Sequence, residues 1–448
     1  ILSSAKDTSL EAFTKNGQLD LVPYTGSEFL DMEVIGDEIG DDHVFNFLYD
    51  WRLSHADVAA QLHDYLAEVC ALTGHDKVSV YSISQGSLLL GTYMYEYPND
   101  NYIDRAVFDT PLLAGSNLVP DLYTDKPISL NFDTTLDILR SILHTEADFS
   151  FVMDIIPADG ANNIADYGLK SMILPSVINI PAFWEMCAPD QYDYIKSVRL
   201  DSVKNAKLIE KVEKVRNGFM SHISETLYAQ QKKGVSVSLK ACSGVPLASG
   251  TVDNSDGIVN MKYSCGAVCA PFGETFPADY KQAVKTGKNN ISPDRTVDLS
   301  TGYMPERTWV VNRHYHGQAE WDPRTYDLLM ELLLTDNIKD AYSHMEYPQF
   351  MESLAPTNDI AVLFKSTNSS FLPTLTRRLF SCNSVIVKNL SKKDKITVSS
   401  IAAENGTLNF ILPYPIVLEA GESAEIAFTG KVPSAESCDK ITVAYRRM

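Results

Sequence analysis

The chain has 448 residues, more than one hydrophobic core usually organises, so two or three folding units are expected. It is 45% hydrophobic and 21% charged, with 22 Tyr and 18 Phe, an ordinary globular balance that excludes long disorder. A formal net charge of -20 repels nucleic acid and anionic membranes, so no polynucleotide partner is expected, and the plain consequence of the acidity is solubility.

The chain begins at Ile1, without an initiator Met or a signal sequence, which implies a removed leader or a fragment. Val44 to Tyr49 (VFNFLY) reads as a short buried strand, rich in aromatic and β-branched residues. Ala56 to Leu72 follows as a helix, with Val58, Leu62, Leu66 and Val69 at three- and four-residue steps and Thr73-Gly74 as its stop. Lys77 to Ile83 (KVSVYSI) is the clearest strand, and it runs through Ser84-Gln85-Gly86 into a helix that Pro98-Asn99-Asp100 breaks. Ala106 to Phe108 is the next short strand. Strand, helix, strand, helix, strand in this order predicts a parallel sheet.

From Gly115 to Gly234 helical patterns rich in Ile, Leu, Tyr and Met take over, including Lys207 to Arg216 with its mixed charges; this region reads as an inserted helical cap. The sheet resumes at Val235 to Cys242 and Thr308 to Asn312, and a helix from Pro323 to Leu334 closes it. Ser384–Val387, Lys395–Ile401, Leu408–Leu412, Ala424–Phe428 and Lys440–Tyr445 are short alternating runs parted by Asn405-Gly406, Pro413 to Pro415 and Gly421-Glu422, the pattern of a small β-sandwich. The expected organisation is therefore a sheet domain in two parts, 1–114 and 235–370, interrupted by a cap at 115–234 and followed by an all-β unit at 371–448. No run of about 18 apolar residues is present, so no spanning helix is expected. The seven cysteines fit no zinc spacing. Cys242, Cys265 and Cys269 have no histidine beside them and read as buried thiols or a disulfide. No cofactor or metal is expected.

A strand that ends in a serine between small residues and turns at once into a helix is a nucleophile elbow, and the usual Gly-x-Ser-x-Gly appears here as Ser82-Ile83-Ser84-Gln85-Gly86. Ser84 is the expected nucleophile. The Gln85 N–H, at the helix N-terminus, is the expected oxyanion donor. The other reading of the motif is a polar strand end capping a helix. Serine needs a base and the base an orienting acid, which this type of fold supplies in the order Ser, Asp, His. Asp256, in the loop after Val235–Cys242, is the candidate acid, with Asp253 and Asp298 as competitors; all of them also suit plain turn chemistry. His316, after Thr308–Asn312, is the candidate base, with His314 as its rival.

Leu48-Tyr49-Asp50-Trp51-Arg52-Leu53, followed by a helix, a strand and the serine elbow, resembles the lecithin:cholesterol acyltransferase family, whose members carry Tyr-Asp-Trp-Arg upstream of the nucleophile. Asp109 to Ser116 is similar to the family's Ala-Pro-x-x-Gly-Ser segment, and Ser255-Asp256-Gly257-Ile258-Val259 to its Gly-Asp-Gly-Thr-Val acid loop, which favours Asp256; His316-Gly317 matches the catalytic histidine position better than His314 does. The resemblance covers 44–334 and leaves out the C-terminal unit. It implies an α/β-hydrolase with a catalytic triad Ser84–Asp256–His316, acting as an esterase, lipase or acyltransferase on an ester or lipid substrate. An extracellular or cell-surface setting goes with it. Two departures stand out. The family's glycine-rich oxyanion loop has no convincing counterpart in 1–43, where Val22-Pro23-Tyr24-Thr25-Gly26 comes nearest, so early strands of the sheet are expected to lie outside this chain. Ser82 replaces the first elbow glycine, a change expected to alter efficiency rather than chemistry. The alternative reading is a catalytically silent binding or surface protein on the same fold. Ile178, Ile180, Phe183 and Trp184 in the cap would either line an acyl site or simply pack the cap.

Overall fold

The computed structural model describes residues 40–125, 127–128, 130–131, 134–135, 166–249, 253–317, 322–353, 360–366, 382–389, 395–403, 408–420, 422–430 and 441–447, with residue 162 and short pieces of 14–39. Contacts divide the chain into two compact units, with the boundary at Ala355–Pro356.

The first unit is built on five parallel strands: β1 (Val78–Ile83), β2 (Ile103–Asp109), β3 (Ser236–Ser243), β4 (Thr308–Asn312) and β5 (Phe350–Glu352). They lie side by side in chain order. Both faces of the sheet are covered, and the alternation along each strand decides what goes where. Ala106 and Phe108 of β2, with Val237 and Leu239 of β3, pack with the helices α1 (His55–Thr73) and α2 (Gln85–Glu96). Val107 and Cys242, with Trp309 and Val311 of β4, point the other way and meet Leu328, Leu329, Leu332 and Leu333. Those leucines belong to the helix Pro323–Leu334, which starts on an Asp322 side chain that accepts the Arg324 and Thr325 N–H groups. Helix α1 ends at Gly74, whose φ of 72° lets its N–H return to the Cys70 carbonyl.

Between β2 and β3 the described elements are helical: α3 (Leu118–Tyr123), α4 (Leu174–Val177), α5 (Pro181–Glu185), α6 (Pro189–Arg199), α7 (Ala206–Asn217) and α8 (Ile223–Lys232). Most of them share a separate core of Tyr123, Leu174, Val177, Trp184, Tyr192, Ile195 and Val212. The last part of this region packs on the sheet. Val215, Phe219, Ile223 and Leu227 join the sheet's own core, so α8 is the crossover helix between β2 and β3.

The run Val44–Tyr49 forms no strand. Its aromatics turn onto α1 instead: Phe47 stacks on Tyr49 at 5.7 Å and meets Tyr65 at 5.0 Å, and the Tyr65 hydroxyl donates to the Asn46 carbonyl. A second difference lies at the domain boundary. The strand β6 (Ile360–Ser366), expected within the sheet domain, pairs antiparallel with β7 (Cys382–Asn389) and so belongs to the C-terminal unit.

That unit holds two antiparallel sheets. One runs β6, β7, β11 (Ser423–Gly430), β9 (Leu408–Phe410); the other runs β10 (Ile416–Leu418), β8 (Ile396–Ala403), β12 (Ile441–Arg447). Val385, Val387, Ile426 and Phe428 of the first share a core with Ile396, Val398, Ile401 and Leu418 of the second. Among the described residues no helix is long and apolar enough to cross a membrane, and the described cysteines Cys70, Cys187, Cys242, Cys265 and Cys269 are free thiols.

Candidate active site

Each of the strands β1 to β4 is followed at once by a residue with left-handed backbone: Ser84 (φ 53°), Thr110 (φ 38°), Gly244 (φ 78°) and Arg313 (φ 57°). Three of these are not glycine, and among the described residues only Arg295 joins them as a non-glycine with positive φ. Such backbone costs on the order of 1–3 kcal/mol per residue and persists only where the surroundings over-determine it. The strain is concentrated at the C-terminal edge of the parallel sheet, where the ends of neighbouring strands hold one another. The Ser84 N–H reaches the Asp109 carbonyl at 3.2 Å, the Thr110 N–H the Lys240 carbonyl at 2.8 Å, and the Arg313 N–H the Ser243 carbonyl at 2.7 Å.

All the sequence-derived site residues hang from this edge. Ser84 forms the turn itself, with φ 53° and ψ -121°, and its side chain is neither buried nor fully exposed. At Gly86 a Cβ would come no nearer than 4.0 Å to the Ser82 Cβ, an ordinary contact, so the turn does not depend on glycine there. Ser82 fits in place of glycine because its hydroxyl is absorbed locally, donating to the Val107 carbonyl and lying 3.3 Å from the Ser87 hydroxyl. Gln85 opens α2, so its N–H has no acceptor within the helix. Its side chain donates to the Trp51 carbonyl at 2.8 Å.

Asp256 and His316 are in direct contact, with His316 Nδ1 2.8 Å from Asp256 Oδ2 and both residues buried. The other carboxylate oxygen accepts the N–H groups of Ile258 (2.9 Å) and Val259 (2.7 Å), so the acid cannot rotate. Gly257 and Gly317 beside them have φ of 97° and 74°, which puts both loops in sharp turns. Ser84 leaves β1 on the same edge from which the Asp256 and His316 loops leave β3 and β4, with β2 and β3 lying between it and β4.

The rival residues have other work. Asp253 accepts from the Asn117 and Asn260 amides, and Asp298 gathers the Tyr280 hydroxyl and the Ala283 and Ser300 N–H groups. His314 is fully buried, with Nδ1 2.9 Å from the Ser353 hydroxyl, and burial followed by the nearby Lys240 ammonium holds its imidazole well below the usual histidine range. Val22 to Gly26, the nearest counterpart of a glycine-rich loop, lies outside the described residues.

The Tyr-Asp-Trp-Arg segment borders the edge. Arg52 clamps Asp50 through Nε at 2.8 Å and Nη2 at 2.5 Å. Burial raises the Asp50 carboxyl, but the Arg52 hydrogen bonds and charge outweigh it and leave the group below its ordinary value. Trp51 is 44% exposed and lies edge-on to Phe183 of α5, ring centres 5.7 Å apart. Trp184, the next residue, has no solvent exposure. It is fully buried against Tyr123 and donates to the Ile178 carbonyl, so it packs the helical region. Behind Trp51, the buried His55 binds Glu185 of α5 through its ring and, at 2.9 Å, through its backbone N–H, which ties α1 to the inserted helices.

One group escaped the sequence reading. Lys240, at the centre of β3, is completely buried with its ammonium 2.7 Å from the equally buried Asp109 carboxylate. A lysine inside the apolar run VSVSLKAC was the available signal, since burying an unpaired charge is prohibitive. No protein-family model matches the chain, and no curated protein matches it either.

Proposed function

We propose that the first unit is an α/β-hydrolase resembling the lecithin:cholesterol acyltransferase family, and that it works as a serine esterase, lipase or acyltransferase on an ester substrate of lipid type. The observation that carries this reading is the strained Ser84 turn together with the 2.8 Å contact between His316 and Asp256 on the same sheet edge. A serine held at φ 53° at a strand-to-helix turn carries backbone strain, and a hydroxyl presented at such a turn suits nucleophilic attack.

In the proposed mechanism His316 Nε2 takes the Ser84 proton and the alkoxide adds to the ester carbonyl. Asp256 holds the proton on Nδ1 and stabilises the imidazolium. The oxyanion faces the Gln85 N–H and the positive end of α2, a donor worth on the order of 3 kcal/mol. Collapse expels the alcohol, which takes its proton from His316 and leaves an acyl group on Ser84. Water or a second alcohol then attacks the acyl carbonyl and gives its proton to His316, which passes it to the departing Ser84 oxygen as the acid or new ester leaves. The exposed Trp51 and the Phe183 ring beside Gln85 offer apolar surface to the substrate's hydrocarbon part.

The test is labelling by a fluorophosphonate and turnover of short p-nitrophenyl esters. Both are expected in the native chain and both should vanish in Ser84→Ala. An unlabelled native chain would overturn the reading in favour of a catalytically silent protein on this fold.

A further inference from the structure

We propose that Lys240 is a positioning residue for Ser84: through Asp109 it locks the backbone turn that presents the nucleophile, an inference that rests on the serine-hydrolase reading above. The Ser84 peptide is clasped on both sides by one short segment, its N–H by the Asp109 carbonyl at 3.2 Å and its carbonyl by the Leu112 N–H at 3.3 Å. That segment carries its own strained residue, the buried Thr110 at φ 38°. Lys240, the direct neighbour of Asp109 in the β2–β3 ladder, grips it twice. Its carbonyl takes the Thr110 N–H at 2.8 Å and its ammonium makes an ion pair with the Asp109 carboxylate at 2.7 Å. Tyr81 of β1, three residues before Ser84, completes the grip by donating its hydroxyl to the other Asp109 oxygen at 2.7 Å. One charged centre thus couples β1, β2 and β3 at the level where two adjacent residues of the edge are strained.

Stability alone is a poor reason for this arrangement. Two ions at 0% exposure give up their hydration, and apolar replacements of similar volume usually hold a fold as well or better. The Tyr81 hydroxyl and Lys240 carbonyl hydrogen bonds, with the ion pair beside them, supply what apolar packing does not, a fixed position for the Asp109–Leu112 segment, and hence for the Ser84 hydroxyl. Burial opposes the charge on Lys240, but the Asp109 carboxylate outweighs it and keeps the ammonium above the usual lysine range.

The experiment compares native protein with Tyr81→Phe, which removes one hydroxyl, and with the double variant Asp109→Asn/Lys240→Met, which removes both charges and leaves none unpaired. Melting temperature, kcat and KM for a p-nitrophenyl ester, and the rate of fluorophosphonate inactivation are measured for each. The expected result is near-native melting with kcat and inactivation rate down together, by about 100-fold in the double variant and less in Tyr81→Phe, with KM unchanged, as a small misplacement of the attacking atom requires. Should the double variant melt normally and react at the native rate, the pair is only structural and the proposal fails. Should it not fold, Tyr81→Phe decides: a native inactivation rate there overturns the proposal. An unreactive native chain would remove the proposed function first, and this inference with it.

Discussion

His316 and Asp256 are joined twice, by the 2.8 Å contact between Nδ1 and Oδ2 and by a 2.9 Å hydrogen bond from the His316 N–H to the Asp256 carbonyl. Main chain and side chain therefore agree on one orientation of the imidazole. In Asp256→Asn the amide oxygen can still serve the Ile258 and Val259 N–H groups, which turns the NH2 toward Nδ1 and favours the tautomer with its proton on Nε2. That tautomer cannot accept the Ser84 proton. Ester turnover is expected to drop by about 10⁴ with melting little changed, and a loss smaller than about tenfold would contradict the assigned roles.

Ser84→Gly separates strain from chemistry. Glycine occupies φ 53° without steric penalty, although it gives up more chain entropy on folding. The two effects together predict a protein about 1 kcal/mol more stable in thermal or denaturant unfolding, and inert toward esters. A variant less stable than native would mean that the backbone of this turn is relaxed.

Gly244→Ala should do the reverse. Gly244 has φ 78°, and a Cβ there would stand 2.2 Å from Asn312 Oδ1 and 2.8 Å from the Arg313 nitrogen. The second of these is backbone and cannot swing away, so a loss of about 3 kcal/mol in unfolding free energy is expected. The β3 and β4 ends would part, and activity would suffer with stability.

His314 gives the pH dependence of stability a sign. Folded, it stays neutral, because burial and then Lys240 push its pKa far down. Unfolded, it binds a proton below about pH 6.5. The unfolded state then holds more protons, so this residue's contribution is complete above that pH. It is lost as the pH falls further, at up to about 1.4 kcal/mol per pH unit. Melting curves between about pH 6.5 and 5 should be less steeply pH-dependent in His314→Asn than in the native chain. Equal slopes would show that another group sets the acid limit.

Two strands of the parallel sheet were legible from β-branched and aromatic composition. Val78–Ile83 and Thr308–Asn312 are runs that no helix period explains, and they form β1 and β4. Phe350–Glu352 was not legible, being too short to show a pattern, and pairing with β4 alone makes it a strand. Val44–Tyr49 misled for the opposite reason. Its composition suits a strand, but a strand exists only when another backbone completes its hydrogen bonds, and these aromatics found α1 instead. In the helical region, Trp184 looked equally fit for a pocket or a core, and only the Tyr123 ring against it settled which. Lys240 was visible as an anomaly in β3, yet its partner Asp109 lies on another strand, far away in sequence.

The sequence by itself determined the helix and strand periods, the small residues that flank the Ser84 turn, and the order in which serine, acid and histidine follow the strands, because these are local properties of the chain. Turn chemistry alone does not separate Asp253, Asp256 and Asp298, or His314 and His316; the family resemblance is what favours Asp256 and His316. Tertiary structure adds different contacts around each of them. It pins Asp253 and Asp298 in loop-closing hydrogen bonds, buries His314 beside a cation, and leaves Asp256 with one oxygen aimed at His316. The physical reason is that a hydrogen bond or an ion pair depends on distance in space, and the contacts that matter here join segments up to 136 residues apart in the chain.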